Sequence, residues 1–249
     1  MLKHLCLILL FIPFGLSGQK HWLGFQGGYQ FNRAVSWIVH GENGSYQPFH
    51  SFNFGISYRF DFHKYLFATG KVCFSKEGFN TIRSTFHRKN ETLGIYKYIH
   101  ADVGYRLEFI SLPLIIGVRY GKKFYFTMEA GIVPQFLLKS KTIADYYVSD
   151  GFSRTIYDTY KESTKVYLQC QFGLGLALNV SSNMTIILLS NYFRGFFRFK
   201  NKQDFEGYGM WHNPNAHIPD GYSISLQFLF NLHPIKPELK HPERNKENY

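Results

Sequence analysis

Along most of the chain, apolar and polar residues change places at every position. In 51–61, SFNFGISYRFD, Phe52, Phe54, Ile56, Tyr58 and Phe60 share one parity. Ser51, Asn53, Gly55, Ser57, Arg59 and Asp61 share the other. A period of two marks a β-strand with two unlike faces. The same alternation runs through 22–31, 66–74, 124–138, 165–180 and 222–232. Two further segments, 106–119 (RLEFISLPLIIGVR) and 184–198 (MTIILLSNYFRGFFR), become apolar on both parities part-way along. Their β-branched and aromatic content still predicts strands, although the pattern leaves their facing open. The reading gives eight strands.

The connections sort into two kinds. FHK, YGKK and SSN are tight turns suited to hairpins. The segments 32–48, 76–105, 139–164 and 195–221 are long and rich in Lys, Asn, Gly, Ser and Tyr. Short and long connections alternate strictly, as in an up-and-down transmembrane barrel with short periplasmic turns and long external loops. A soluble lipocalin-like barrel with its apolar faces inward fits the bare parity equally well. Side-chain size separates the two. An eight-stranded barrel is only just wide enough inside to be filled by side chains. Gly55, Ser57, Gly131, Gly173, Gly175, Ala177, Ser223 and Ser225 fit such a lumen, whereas the phenylalanines of the opposite parity would overfill it. Aromatic residues near strand ends, Tyr29, Phe31, Phe60, Phe62, Phe124 and Tyr222, suit interfacial girdles. The expected fold is therefore all-β: an eight-stranded antiparallel transmembrane barrel whose apolar parity faces lipid.

Composition agrees with this. Of 249 residues, 19% are aromatic, yet the mean hydropathy is only −0.20, as expected when apolar residues alternate instead of forming blocks. Beyond the first twenty positions no apolar run is long enough for a transmembrane helix. The start, MLKHLCLILLFIPFGLSGQK, has Lys3, an apolar run and small residues before Gln19, which is the pattern of a secretory signal peptide over 1–19. LSGQ carries Gln19 where a lipoprotein box needs Cys, so export without a lipid anchor is expected. The barrel is placed at 20–233. The polar, proline-punctuated end, 234–249, reads as a disordered periplasmic tail. Cys73 and Cys170 both fall in expected strands, where packing is their expected role and a bridge stays open. The net charge of +11 points to outer-membrane lipid and lipopolysaccharide, with other envelope proteins as further partners, and not to nucleic acid.

The segment 108–138, EFISLPLIIGVRYGKKFYFTMEAGIVPQFLL, resembles the central hairpin of PorT-like outer-membrane β-barrel proteins. Glu108, Pro113 and Leu114 match its first strand, and Ala130, Gly131 and Pro134 resemble its second, with Pro134 displaced. The resemblance implies an eight-stranded barrel in the cell outer membrane and little defined biochemistry.

Candidate chemistry is sparse. Arg59, Lys71, Arg106, Glu108, Glu129 and Lys165 fall on polar parities and are expected to form a lumen network that plugs the barrel. Glu108 and Glu129 flank one hairpin, and as neighbours they would suit an acid–base pair. Pro113 and Pro134 each remove a ladder donor, so a bulge is expected at both. Lys76, Arg83, Arg88, Lys89 and Lys97, interleaved with Phe79, Phe86, Tyr96 and Tyr98, make the second long connection a candidate binding surface. His212 and His217 lack a third ligand, and no nucleophile motif surrounds any serine. The expectation is a non-enzymatic protein, without metal or cofactor, that binds surface molecules or serves envelope assembly or secretion through its external loops. The alternative from another class is a barrel enzyme modifying outer-membrane lipid.

Overall fold

The computed structural model describes residues 20–36, 46–89, 96–148, 151–161, 163–196 and 217–232. The proposed signal peptide, the tail and the centres of several long connections lie outside these residues. The strands are β1 (Lys20–Ser36), β2 (Tyr46–Asp61), β3 (Leu66–Lys89), β4 (Tyr96–Ser111), β5 (Leu114–Gly121), β6 (Phe124–Val148), β7 (Gly151–Asp158), β8 (Val166–Asn179), β9 (Met184–Gly195) and β10 (His217–Asn231).

All strand pairs are antiparallel and join successive wall strands, and β10 returns to pair with β1, Phe25 lying opposite Phe228. β4 and β5 are two halves of one wall strand, and β7 pairs only with the far end of β6. The result is a closed ring of eight strands. Closure removes both sheet edges and satisfies the backbone without help from water.

Pro113 and Pro134 do not bulge the wall. On one side of Pro113, Gly70 pairs with Leu114 and Cys73 with Ser111; on the other, Ser111 pairs with Gln135 and Leu114 with Ile132. Pro134 itself pairs in register with Leu168. Both prolines keep their carbonyls in the ladder, accepting from Lys71 N at 2.9 Å and Leu112 N at 2.8 Å. Each therefore loses one donor and keeps its place, because the intact pairs around it hold the register. The shifts fall elsewhere, between Pro48 and Asn53, Thr81 and Ser84, and Glu108 and Phe109.

The two parities now have faces. Phe52 (71% exposed), Phe54, Ile116, Phe126 and Leu174 point outward, while Ser57, Arg59, Thr127, Glu129 and Gln169 are buried inside. So large a belt of exposed apolar side chains belongs in lipid. Aromatic pairs bound it. Phe60 with Phe62 and Phe124 with Phe126 lie toward the short turns; Tyr29 with Phe52 and Tyr192 with Tyr222 lie toward the long connections. The two ambiguous segments follow the same rule. Leu114, Ile116, Val118 and Leu188 face out, while Ile115, Ile187 and Leu189 are buried inside.

Two of the expected long loops are largely strand. β3 and β4 continue as a hairpin to Lys89 and Tyr96, and β6 and β7 form a second one. Above the lipid belt the meaning of the parities reverses. Outward positions become Lys76, Glu108 and Lys139, and inward ones become Tyr105, Leu107, Phe109 and Leu137. There water is outside, so the interior takes the apolar residues, as in a soluble sheet.

Candidate functional site

The interior is stacked in layers. Near the short turns an apolar cluster of Trp22, Tyr125, Ala177, Ile187, Leu189 and Leu229 fills the lumen. Beside it, Asp61 accepts from Trp22 Nε1 at 2.9 Å, Arg59 Nε at 2.8 Å and Arg119 Nη1 at 2.7 Å. The Arg59 guanidinium also lies 3.7 Å from the centre of the Phe67 ring. In the middle layer Lys71 Nζ meets Glu129 Oε1 at 3.4 Å, and Gln171 Nε2 donates to the same oxygen at 3.3 Å. Gly173 makes room for this. A Cβ there would sit 2.6 Å from Glu129 Cγ and 2.4 Å from Asn191 Oδ1.

Nearer the long connections, Glu77 is held by carboxamides. Gln135 Nε2 donates to it at 2.6 Å, Gln169 Nε2 at 3.3 Å and Gln30 Nε2 at 3.5 Å. Between these layers the described residues leave a cavity of about 60 Å³. Above it Phe109 packs edge-on against Tyr167, and Phe79 stacks on Tyr105 at 4.6 Å. Side chains fill the lumen, and what they leave is too narrow for an aqueous channel.

The structure brings together three of the six expected network residues: Arg59, Lys71 and Glu129 line the lumen. Arg106, Glu108 and Lys165 do not join them. Glu108 points outward above the belt and pairs with Lys76 at 3.4 Å, directly across the β3–β4 ladder. Arg106 is on the same outward parity, donating to the Phe79 and Tyr105 carbonyls with its guanidinium 4.4 Å from the Phe49 ring centre. Lys165 is exposed before the start of β8, on the Tyr160 carbonyl and ring. Arg106 and Glu108 lie above the belt, where the polar parity is the outer one, whereas Lys165 keeps the parity of the buried Tyr167 and Gln169 but lies before the strand begins. Glu108 and Glu129 therefore lie on opposite sides of the wall and cannot form an acid–base pair. Cys73 faces the lumen and Cys170 the outer side of the wall, and both are free, which closes the option of a bridge.

Glu77 and Arg119 are interior charges that the candidate set lacked. Glu77 keeps the parity of Lys71, Cys73 and Ser75 but lies beyond Phe74, where the clean alternation of the sequence ends. Arg119 closes a run that is apolar on both parities, so its facing carried no pattern.

The basic connection is a hairpin. Lys76 lies where β3 leaves the lipid belt, and Arg83, Arg88, Lys89 and Lys97 follow on β3 and β4, Arg88 opposite Lys97. The side chains of the last four lie outside the described residues. Phe79, expected at the surface, is buried inside. On the second hairpin, Arg154 binds Asp145 through two hydrogen bonds, at 2.6 and 2.9 Å. That pairing holds the Asp145 carboxyl below its ordinary pKa, chiefly through the hydrogen bonds. Among the described residues, no three metal-ligating side chains converge. The side chains of His87, His100, His212 and His217 are not among them.

No curated protein matches the sequence. The attachment invasion locus protein Ail of Yersinia pestis aligns over 85% of this chain and 99% of its own, at 15% identity and a TM-score of 0.35. The outer membrane protein OprG of Pseudomonas aeruginosa aligns over 86% and 96%, at 7% identity and a TM-score of 0.43. The outer membrane protease OmpT of Escherichia coli aligns over 86% and 95%, at 10% identity and a TM-score of 0.33. A family model for the outer membrane protein β-barrel domain matches residues 18–201, most of the chain. With its closed ring and lipid-facing belt, the chain belongs to the outer membrane protein β-barrel domain family and resides in the cell outer membrane.

Proposed function

We infer that the protein is a non-catalytic binding or assembly component of the cell envelope, working through its external β3–β4 and β6–β7 hairpins. The observation that carries this reading is the contrast between interior and exterior. The lumen is plugged by bonded side chains, with a residual cavity of about 60 Å³, while two hairpins extend past the lipid belt. A plugged barrel that carries long structured hairpins is suited to presenting surface, not to passing solute. The basic residues of the first hairpin favour phosphate-bearing partners, lipopolysaccharide first and another envelope protein second. The likeness of 108–138 to the PorT-like hairpin is compatible with a place in an envelope assembly or secretion system.

The test replaces 81–100 with a short turn and, separately, 144–156. Purified native protein is expected to bind lipopolysaccharide micelles, and the first variant to bind at least tenfold more weakly while keeping its heat-modifiable gel mobility. Equal binding by both variants and the native protein would sink the reading.

A further inference from the structure

The end of the barrel that carries the short turns has an open mouth of about 430 Å³, and its charge is of one sign. Lys20 enters it from the start of β1, Lys64 from the β2–β3 turn, Arg119 from β5, and Lys122 and Lys123 from the β5–β6 turn. Among the described residues, no acidic side chain lines it. Asp61, the nearest buried carboxylate, is saturated by Trp22, Arg59 and Arg119. The four lysines have no carboxylate partner among the described residues. Arg119 is held in place by Asp61 and by the Lys64 carbonyl at 2.9 Å.

We propose that this mouth is a docking site for an acidic segment of a periplasmic protein. Unpaired like charges around a concavity repel one another and focus the field inward. Such an arrangement is stabilised by an anion and by nothing that the described residues supply. The volume lies within the range of ligand pockets, and Trp22, Tyr125 and the apolar cluster beneath them close its inner end, so the occupant docks and does not pass.

Two observations select a peptide over other anions. Trp22, Arg119 and Tyr125 are on the lumen-facing parity, so the site opens along the barrel axis. Lipid head groups instead meet the outward girdle of Phe60, Phe62, Tyr120 and Phe124. The cations also come from three separate places around the rim, which suits several spaced carboxylates better than one compact ion. The chain's own end, 234–249, carries Lys236, Lys240, Arg244 and Lys246 against three glutamates, so it is a poor match in charge. The site is independent of the external hairpins.

The test uses the full-length refolded barrel in zwitterionic micelles and a fluorescent octaglutamate, read by anisotropy. Binding is expected at low salt and should weaken steeply as salt rises. The quadruple variant Lys20→Gln, Lys64→Gln, Lys122→Gln, Lys123→Gln should bind at least tenfold more weakly. The turn variant Lys122→Glu, Lys123→Glu lies outside the wall and should lose binding with its heat-modifiable mobility intact, which covers a folding failure of the first. Equal affinity in native protein and turn variant would overturn the proposal. So would displacement of the peptide by inorganic phosphate at equal concentration, or binding only to phosphatidylglycerol nanodiscs. Binding that appears only after removal of 234–249 would assign the mouth to the chain's own tail instead.

Discussion

Lys71 and Glu129 show what a single charged residue costs inside this wall. Both are nearly fully buried and meet at 3.4 Å, with Gln171 as an added donor. Removing one partner leaves the other charge buried and uncompensated. Lys71→Ala is therefore expected to cost about 3–5 kcal/mol, and the double change Lys71→Met, Glu129→Leu much less. Urea unfolding in lipid vesicles measures both. Gly173 is the second sensitive residue, since its missing Cβ is the space that Glu129 and Asn191 occupy. Gly173→Val forces both side chains off their positions and is expected to cost about 1–3 kcal/mol in the same assay. Gly121 is glycine for a different reason: its φ of 129° in the β5–β6 turn is open to glycine and strained for other residues.

At the scale of the element, one strand meets two solvents, and this explains which expectations held. Over 124–132 the alternation placed the side chains on their observed faces, because lipid lies outside for that length. Over 106–109 the same rule put Arg106 and Glu108 in the lumen, and both face outward. Parity reports which residues share a side; it does not report where the bilayer ends. The depth dependence can be measured on β6. Ile132→Arg, deep in the belt, is expected to cost about 2–4 kcal/mol, and Phe124→Arg, at the girdle, about 0–1 kcal/mol. The external hairpin of β6 and β7 carries a different signature. The Asp145 carboxyl is depressed by Arg154, so its contribution is present above the carboxyl's unfolded value and is lost as pH falls through the folded one. The pair is exposed, so the effect is local and small. Hydrogen exchange should show β6–β7 amides better protected in the native protein than in Asp145→Asn at neutral pH, with the difference vanishing in acid.

For the whole molecule, the plugged lumen sets the main expectation. In planar bilayers the protein should give no steady ion conductance, since apolar and ion-paired layers block the axis in succession. A stable open channel of nanosiemens size would overturn the packing described for Trp22, Leu189 and Leu229. The sequence by itself determined the number of wall strands, the lipid-facing set of the six cleanly alternating ones and the hairpin order, because a period of two and the placement of turns are local properties. It left the facing of 106–119 and 184–198 open, since a run apolar on both parities carries no sign. Only the tertiary structure decided those faces, the continuation of two loops as hairpins, and which charges meet. Asp61 finds Arg119, and Glu77 finds Gln135 and Gln169, across a closed ring, and contacts between strands distant in sequence leave no trace in the pattern of either one.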